Sequence, residues 1–465
     1  MSKWTRVTEL ALASFLMVLM LSAPAISQEQ GPPTAEKVAA LNAPATVLFY
    51  GTYQAVLSYP YAIYDEDANG NFNFEAHPEK GVFTDNVGQA WTGSGFIISP
   101  DGYVLTNAHV ASNKLVKDLY LWNRAMDDTV AMMNSGAISQ DQAEKWFVAR
   151  YLFFLTHGKF APEETLIYLF LGTVTFTQDL TAKGILVDTK ISGEPVGMTF
   201  DAMWKDVAVA KISVDFQLPT VALGDSDKVD TGQSVFVIGY PYMETTTSPG
   251  SIFEPTITAG IVSSIKAMPG GWKAIQTDAT IHHGNSGGPA FNSNGEAIGL
   301  ATFGAAAGGQ ELSGINFLVP ISVANEFIQQ LGVKPSRGEL DKLWEDGLNL
   351  YWANHYSAAV EQFQKVLDIY PGHPYATRYM RQAKEAIAEG KDVPVSSGST
   401  MLVAAGIGIV VIAVIAFLVV RRRKPKAVSP ATAPAVAVTR YCTKCGATIP
   451  SASDKFCPSC GAPSP

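Results

Sequence analysis

The chain has 465 residues, 47% of them hydrophobic and 16% charged, with a formal net charge of −9. That length and composition support several folded parts and exclude a disordered or fibrous chain. Eight basic residues but only one acid, Asp454, lie after residue 420, so the last segment carries about +7 and everything before it about −16. An acidic body of that kind argues against nucleic-acid binding by that part.

The amino terminus has Lys3 and Arg6, then an apolar run from Leu10 to Leu21, then Ala23-Pro24-Ala25. This is the pattern of a secretory signal, placed at residues 1–27 and cut after Ala25 or within a few residues. Left uncut, it would be a second anchor and would not change the sidedness of the chain. Further on, Asp65-Glu66-Asp67-Ala68-Asn69-Gly70 resembles the start of a calcium loop, with oxygen ligands at alternate positions and glycine sixth. The twelfth position is Ala76, and Glu75 comes one residue early, which favours a solvated turn over a calcium site.

From Gly95 to Thr106 the pattern is strand, Pro-Asp-Gly turn, strand, with His109 just past the second strand. Leu115 to Met133 has helix-forming composition. Ser139-Gln140-Asp141-Gln142 is a capping-box start for a second helix reaching about Thr156, rich in large apolar residues from Trp146 to Leu155. Together they form a helical insertion at about 113–165. Asp206 opens an apolar run, which buries its carboxylate. Short alternating runs at 97–99, 103–106, 207–212, 234–238, 256–262, 274–281, 297–302 and 315–319 read as strands between Gly, Pro and Asp turns.

Gly284-Asn285-Ser286-Gly287-Gly288-Pro289 carries the most information. Glycines on both sides permit a tight turn in which the N–H groups of Gly284 and Ser286 converge on one point, an oxyanion hole. A serine hydroxyl is a weak nucleophile at neutral pH. It needs a base, and the base needs an acid to hold its tautomer. His109, Asp206 and Ser286 occur in the chain order and flanks of a chymotrypsin-type triad. His282 and His283 lie in the wrong segment for the base, and Asp201 lacks the apolar flank of Asp206.

The stretch from about Gln89 to Ile321 resembles the protease domain of the trypsin-like HtrA/Deg family. TGSGFIISPDGYVLTNAHV, DVAVAKI, GDSDKVDTGQSVFVIGYP, ITAGIVSS, QTDATIHHGNSGGPAFN and GINFLVPI fall in family order. The resemblance implies a mainly β protease domain at 36–333, a chymotrypsin-like double β-barrel of two six-stranded barrels with the active site between them. It makes His109 the general base, Asp206 its orienting partner and Ser286 the nucleophile, with no cofactor required. By the same resemblance Thr280, six residues before the nucleophile, sits at the base of the primary pocket, with Ile281, Thr302 and Phe303 beside it. With no charge there, cleavage after uncharged, aliphatic residues is expected. Two departures stand out: the long interval between His109 and Asp206, and the lack of a PDZ domain after the protease. The insertion is either a hairpin packed against the N-terminal barrel, or a lid, docking surface or membrane contact.

Gly347, Ala359, Phe363 and Pro371 fall at the eighth, twentieth, twenty-fourth and thirty-second places of a tetratricopeptide-like repeat beginning at Leu340. Tyr375 to Ile387 is expected as a capping helix. The small α-helical module at 338–390 is either a spacer packed on the protease or a peptide-binding module with protein partners. After a 391–400 linker, Met401 to Val420 is twenty residues without a charge, followed by Arg421-Arg422-Arg423-Lys424, which predicts one transmembrane helix with the basic side in the cytoplasm. A basic, Pro- and Ala-rich linker at 421–440 leads to Cys442, Cys445, Cys457 and Cys460 at 441–465. Two CxxC knuckles of this spacing, each followed by glycine, predict a structural zinc ribbon. Its basic setting permits a nucleic-acid or a protein partner.

The combined expectation is a membrane-tethered, extracytoplasmic serine endopeptidase acting on unfolded or exported proteins and peptides. Homo-oligomers are compatible with it. The competing expectation is a protease-fold binding or sensing module that signals through the membrane helix to the ribbon.

Overall fold

The computed structural model describes residues 34–175, 185–186, 188–192, 205–241, 252–307, 310–395, 440–450 and 453–463. The signal segment and the 401–420 span lie outside them. Among the described residues no helix is long and apolar enough to cross a membrane. The chain divides into two compact units, Met1–Val395 and Ser396–Pro465.

In the first unit, helix α1 (Thr34–Asn42) leads into strands β1 (Thr46–Pro60), β2 (Ala62–Glu66), β3 (Phe72–Ala76), β4 (Val82–Ile97) and β5 (Tyr103–Thr106). Helices α2 (Lys114–Asn134) and α3 (Ala143–His157) follow, then β6 (Lys159–Leu171), β7 (Val174–Thr175), β8 (Ile185–Leu186), β9 (Asp188–Ser192) and β10 (Ala208–Lys211). The second half holds β11 (Ser234–Gly239), β12 (Ile252–Phe253), β13 (Thr256–Ala267), β14 (Lys273–Thr277), β15 (Pro289–Phe291), β16 (Ala297–Ala307), β17 (Gln310–Pro320) and helix α4 (Ile321–Gln330).

The second half closes into a six-stranded barrel in the order β11-β13-β14-β17-β16-β15. The first half departs from the expected second barrel. It is a seven-stranded sheet ordered β8-β6-β1-β4-β5-β10-β9, not closed among the described residues. Three of its strands are longer than a small barrel uses: β1 pairs with β4 from Thr46↔Phe96 to Pro60↔Val82 and with β6 from Val47↔Leu171 to Ser58↔Lys159. Beyond the shared core, this ribbon continues outward as a platform.

The helical insertion packs on that platform through one face, while Leu152 and Leu155 stay exposed. Tyr53, Ala55, Leu57 and Tyr59 alternate along β1 onto one face, where they pack with Leu121 and Ala125 of α2 and Phe147, Phe153 and Phe154 of α3. Phe154 is fully buried. Arg150 lies 4.4 Å over its ring and pairs with Asp128 at 2.8 Å, and Arg124 reaches the Tyr59 hydroxyl at 3.0 Å. The capping box forms as the sequence predicts, with Ser139 N–H donating to Gln142 Oε1 at 2.9 Å. The insertion ends sooner than residue 165: α3 stops at His157, and β6 begins at Lys159. Of Asp65–Gly70, Asp65 and Glu66 end β2 and Asp67–Gly70 lie in the turn of the β2–β3 hairpin. Asp67 Oδ1 accepts the N–H groups of Asn69 and Asn71, and its carboxylate is spent on closing the turn.

One apolar core spans both halves. Phe96, Leu105 and Val209 from the first sheet meet Phe236, Phe291 and Leu300 of the barrel and Ile321 and Ile328 of α4. The following helices α5 (Glu339–Trp352), α6 (Tyr356–Ile369) and α7 (Ala376–Ala388) match the predicted helical module. Gly347 lets α5 and α6 approach, since a Cβ there would lie 2.6 Å from the Phe363 ring. The module is fixed to the protease. Buried Asp341 accepts the Thr220 N–H at 2.7 Å and hydroxyl at 2.6 Å, Trp344 Nε1 donates to Ala40 O at 3.0 Å, and Tyr370 stacks on Phe216. The packed-spacer reading therefore describes this face of the module.

Candidate active site

The three predicted residues come from three segments that are joined by hydrogen bonds running from His109 through Asp206 and Thr302 to Ser286. His109 follows β5 in a turn closed by N–H donation from Val110 and Ala111 to Asn107 O. The turn is braced twice: Asn107 Nδ2 donates to Asp206 O at 2.7 Å, and Trp91 Nε1 donates to Val110 O at 2.9 Å. Asp206 stands two residues before β10, and Ser286 lies in the turn that enters β15.

Asp206 is buried and accepts three hydrogen bonds. They come from His109 Nδ1 at 2.8 Å, His109 backbone N–H at 3.1 Å and Thr302 Oγ1 at 2.8 Å. A carboxylate only accepts, so Nδ1 carries the ring proton and Nε2 is left with its lone pair, the tautomer a general base needs. Burial pushes the Asp206 carboxyl upward, but the His109 charge and the donated bonds outweigh it and hold it below the usual carboxylate range. Burial alone would lower the His109 ring; the Asp206 charge and hydrogen bond overcome that and raise it. Both shifts express one pairing, of imidazolium with carboxylate.

The Ser286 hydroxyl donates to Thr302 O at 3.1 Å. The four groups thus form a hydrogen-bonded ring segment from His109 through Asp206 and Thr302 to Ser286. Thr302, expected in the substrate pocket, spends its side chain on the Asp206 carboxylate and its carbonyl on the Ser286 hydroxyl. Motif reading gives no sign of this, because the bond joins residues 96 apart in sequence.

Gly284 has φ +93° and Gly287 φ +85°, conformations that L side chains rarely adopt. A Cβ on Gly287 would also lie 2.2 Å from Ser94 O. The turn is held by Asn285 N–H on His282 O and Gly288 N–H on Asn285 O. Among the described residues the N–H groups of Gly284 and Ser286 donate to no protein acceptor. The remaining expected pocket residues differ in their settings. Thr280 is exposed, with its carbonyl accepting Thr258 Oγ1; Ile281 is buried in the barrel core; and Phe303 lies on β16, its side chain outside the described residues. His282 and His283 are exposed.

In the second unit, Cys442, Cys445, Cys457 and Cys460 bring their sulfurs within 4.8 Å of one another. The pairs Cys442–Cys460 and Cys445–Cys457 are each 3.7 Å apart, and all four cysteines are free of disulfides. A tetrahedron with Zn–S bonds of about 2.3 Å has edges of about 3.8 Å, so the donor set fits a zinc ion. The two knuckles repeat each other: Gly446 and Gly461 have φ +75° and +70° and donate to Cys442 O and Cys457 O, both at 2.9 Å.

Comparison with known proteins follows the same division. Residues 93–300 match the trypsin-like peptidase domain family and residues 441–464 the zinc-ribbon domain family. A probable periplasmic serine endoprotease, DegP-like, of Halomonas elongata is 29% identical over 315 residues, covering 66% of this chain and 49% of its own length. The DegP-like protein of Marinomonas sp. is 30% identical over 277 residues, covering 59% and 40%. A solved HtrA-type protease with a tripeptide aligns over 64% of this chain and 63% of its own, with 21% identity and a TM-score of 0.35. The chain spans about half the length, or less, of the curated relatives it matches. Residues 93–300 of the first unit are thus similar to trypsin-like peptidase domains and to the DegP-like serine endoproteases, and residues 441–464 of the second to zinc-ribbon domains.

Proposed function

We propose that this protein is a serine endopeptidase in which His109, Asp206 and Ser286 act as base, orienting acid and nucleophile. The observation that carries the reading is the buried Asp206 carboxylate, which fixes the His109 ring and is linked through Thr302 to the Ser286 hydroxyl. In the reaction, the Ser286 hydroxyl turns from Thr302 O to His109 Nε2, gives up its proton and attacks the scissile carbonyl. The Gly284 and Ser286 N–H groups receive the oxyanion, and the imidazolium held by Asp206 protonates the leaving amine. Water then repeats the sequence on the acyl-enzyme. No cofactor takes part.

Unfolded or exported proteins and peptides are the proposed substrates, cut after uncharged residues because Thr280 offers no carboxylate to pair a Lys or Arg. The apolar 401–420 run supports a membrane tether, with the protease outside and the zinc ribbon in the cytoplasm. Zinc is structural there, since four thiolates leave no open coordination position. The helix pair at 339–369 supports a tetratricopeptide-like spacer.

The test is labelling of the purified protein by a fluorophosphonate, compared with Ser286→Ala, alongside peptide hydrolysis. Labelling of wild type alone is expected, with hydrolysis lost in the variant. An unlabelled wild type, or a variant that still hydrolyses, would leave the binding-module reading in its place.

A further inference from the structure

The Gly284–Asn285 peptide plane is the joint between the two oxyanion donors: the Gly284 N–H precedes it and the Ser286 N–H follows it. Whatever fixes that plane fixes whether the donors face one point. The Gly284 carbonyl receives the Ser94 hydroxyl at 2.7 Å. Ser94 Oγ also accepts the Tyr240 N–H at 2.8 Å, so a lone pair is occupied and its one proton is directed to Gly284 O. The backbone of Ser94 grips the same turn from the other side, its N–H donating to Ser286 O at 2.7 Å. Its carbonyl takes the Thr106 hydroxyl at 2.6 Å, three residues before His109.

Ser94 is fully buried at the middle of this crossing. A Cβ on Gly239 would come within 3.1 Å of Ser94 Oγ, and one on Gly288 within 3.2 Å of Ser94 Cβ, so the surroundings leave little room to rearrange. A buried Ser could merely satisfy the Tyr240 N–H. Here its proton goes to the one carbonyl whose rotation would swing both oxyanion donors.

We infer that Ser94 is a positioning residue of the active site, whose hydroxyl locks the Gly284–Asn285 peptide so that the N–H groups of Gly284 and Ser286 converge on the transition-state oxygen. This rests on the serine-hydrolase reading above. Loss of the lock leaves the Asn285 N–H bond to His282 O as the other hydrogen bond on this plane, which then has more freedom to tilt. The penalty falls on the charged intermediate rather than on substrate binding.

The experiment compares full-length wild type, Ser94→Ala and Ser94→Cys in three measurements. These are kcat and KM on one peptide, inhibition by the matching peptidyl trifluoromethyl ketone, which forms a charged hemiketal, and thermal melting as a fold check. In Ser94→Ala, kcat and ketone affinity should each fall on the order of ten- to a hundred-fold, as for a displaced donor, with KM held within about twofold. Ser94→Cys, with its weak S–H donor, should recover part of the kcat loss. Unchanged kcat in Ser94→Ala overturns the inference, as does a loss shared by KM with normal ketone affinity. If Ser94→Ala fails to fold, the same selective loss of kcat must appear in Ser94→Cys, and its absence there overturns the inference equally. Failure of wild type to react with a fluorophosphonate is a separate outcome that removes the hydrolase reading and this one with it.

Discussion

Two glycine-punctuated turns present the reactive atoms of this molecule, and they are held in opposite ways. The Ser286 turn is gripped by residues from distant strands: Ser94 from β4, and Ala301 and Thr302 from β16. The cysteine knuckles of the ribbon have almost nothing behind them. Their apolar cluster is Cys442, Ile449 and Cys457, with Ala447 and Ala462 beside it. A large core can aim a side chain to a fraction of an ångström. So small a segment cannot, and a metal must supply the cross-link instead. Identical local geometry, glycine in the left-handed region beside a nucleophilic atom, therefore carries different liabilities in the two units.

The widest separation between them comes from one pair of variants. Ser286→Ala should lower peptide hydrolysis by several orders of magnitude while leaving zinc content and folding intact, because triad residues act as one unit. Cys442→Ser, or chelation, should do the reverse. Structural zinc in such modules supplies roughly 10–16 kcal/mol of binding free energy, so the ribbon should lose its order. Hydrolysis by the first unit in detergent should stay near wild type. Zinc quantified by mass spectrometry beside kcat/KM gives the readout, and a large activity loss on chelation would break the comparison.

How much of this was legible in sequence follows the same line. His109, Asp206, Ser286 and the four cysteines announce themselves because their local flanks encode the turn each needs. The helices at 114–134, 143–157 and within 339–388 show through helix-forming composition, a capping box at Ser139–Gln142, and the spacing of Gly347, Ala359, Phe363 and Pro371. The platform does not show. In β6, Pro162, Glu163 and Glu164 interrupt the alternation, so the strand reads as part of the insertion until pairing with β1 reveals it. Residues 278–281 look like more of β14 but leave its ladder after Thr277 to reach the Ser286 turn, with Ala279 and Ile281 still in the barrel core. The roles of Ser94 and Thr302 are equally silent, since each is defined by a partner about a hundred or more residues away. Motifs report chemistry; long-range hydrogen bonds that aim it do not.

A third region sharpens the comparison from inside the first unit. The helical hairpin is held by aromatic packing, far in sequence from the reacting atoms. Phe154→Ala removes a fully buried ring against Tyr59, Phe153 and the Arg150 side chain, and should cost about 3–5 kcal/mol. Chemical denaturation followed by tryptophan fluorescence measures that cost. With the hairpin acting as a buttress on the β1–β4 ribbon, kcat/KM below the melting range should hold near its wild-type value. A selective change in KM with little loss of stability would instead mark the hairpin as a lid over the substrate.

The smallest effect, and the most direct on mechanism, is the pH dependence of the His109–Asp206 pair. The ring is raised above its ordinary 6.5 and the carboxyl lowered below 3.8, so folded and unfolded states differ at both ends. The raised histidine contributes stability that is fully present below 6.5 and is lost as pH climbs through its higher folded value. The depressed aspartate contributes above 3.8 and is lost as pH falls through its lower folded value. Catalysis needs the opposite state of the ring, neutral at Nε2, so kcat/KM should rise with pH through a midpoint above 6.5 while the pair's stabilising contribution declines. Asp206→Asn removes the charge and leaves burial, which acts downward; the ring should then titrate below 6.5. NMR titration of His109 in the Ser286→Ala protein, with and without Asp206→Asn, reads both values directly. Equal midpoints in the two proteins would mean that Asp206 orients the imidazole without stabilising its charge.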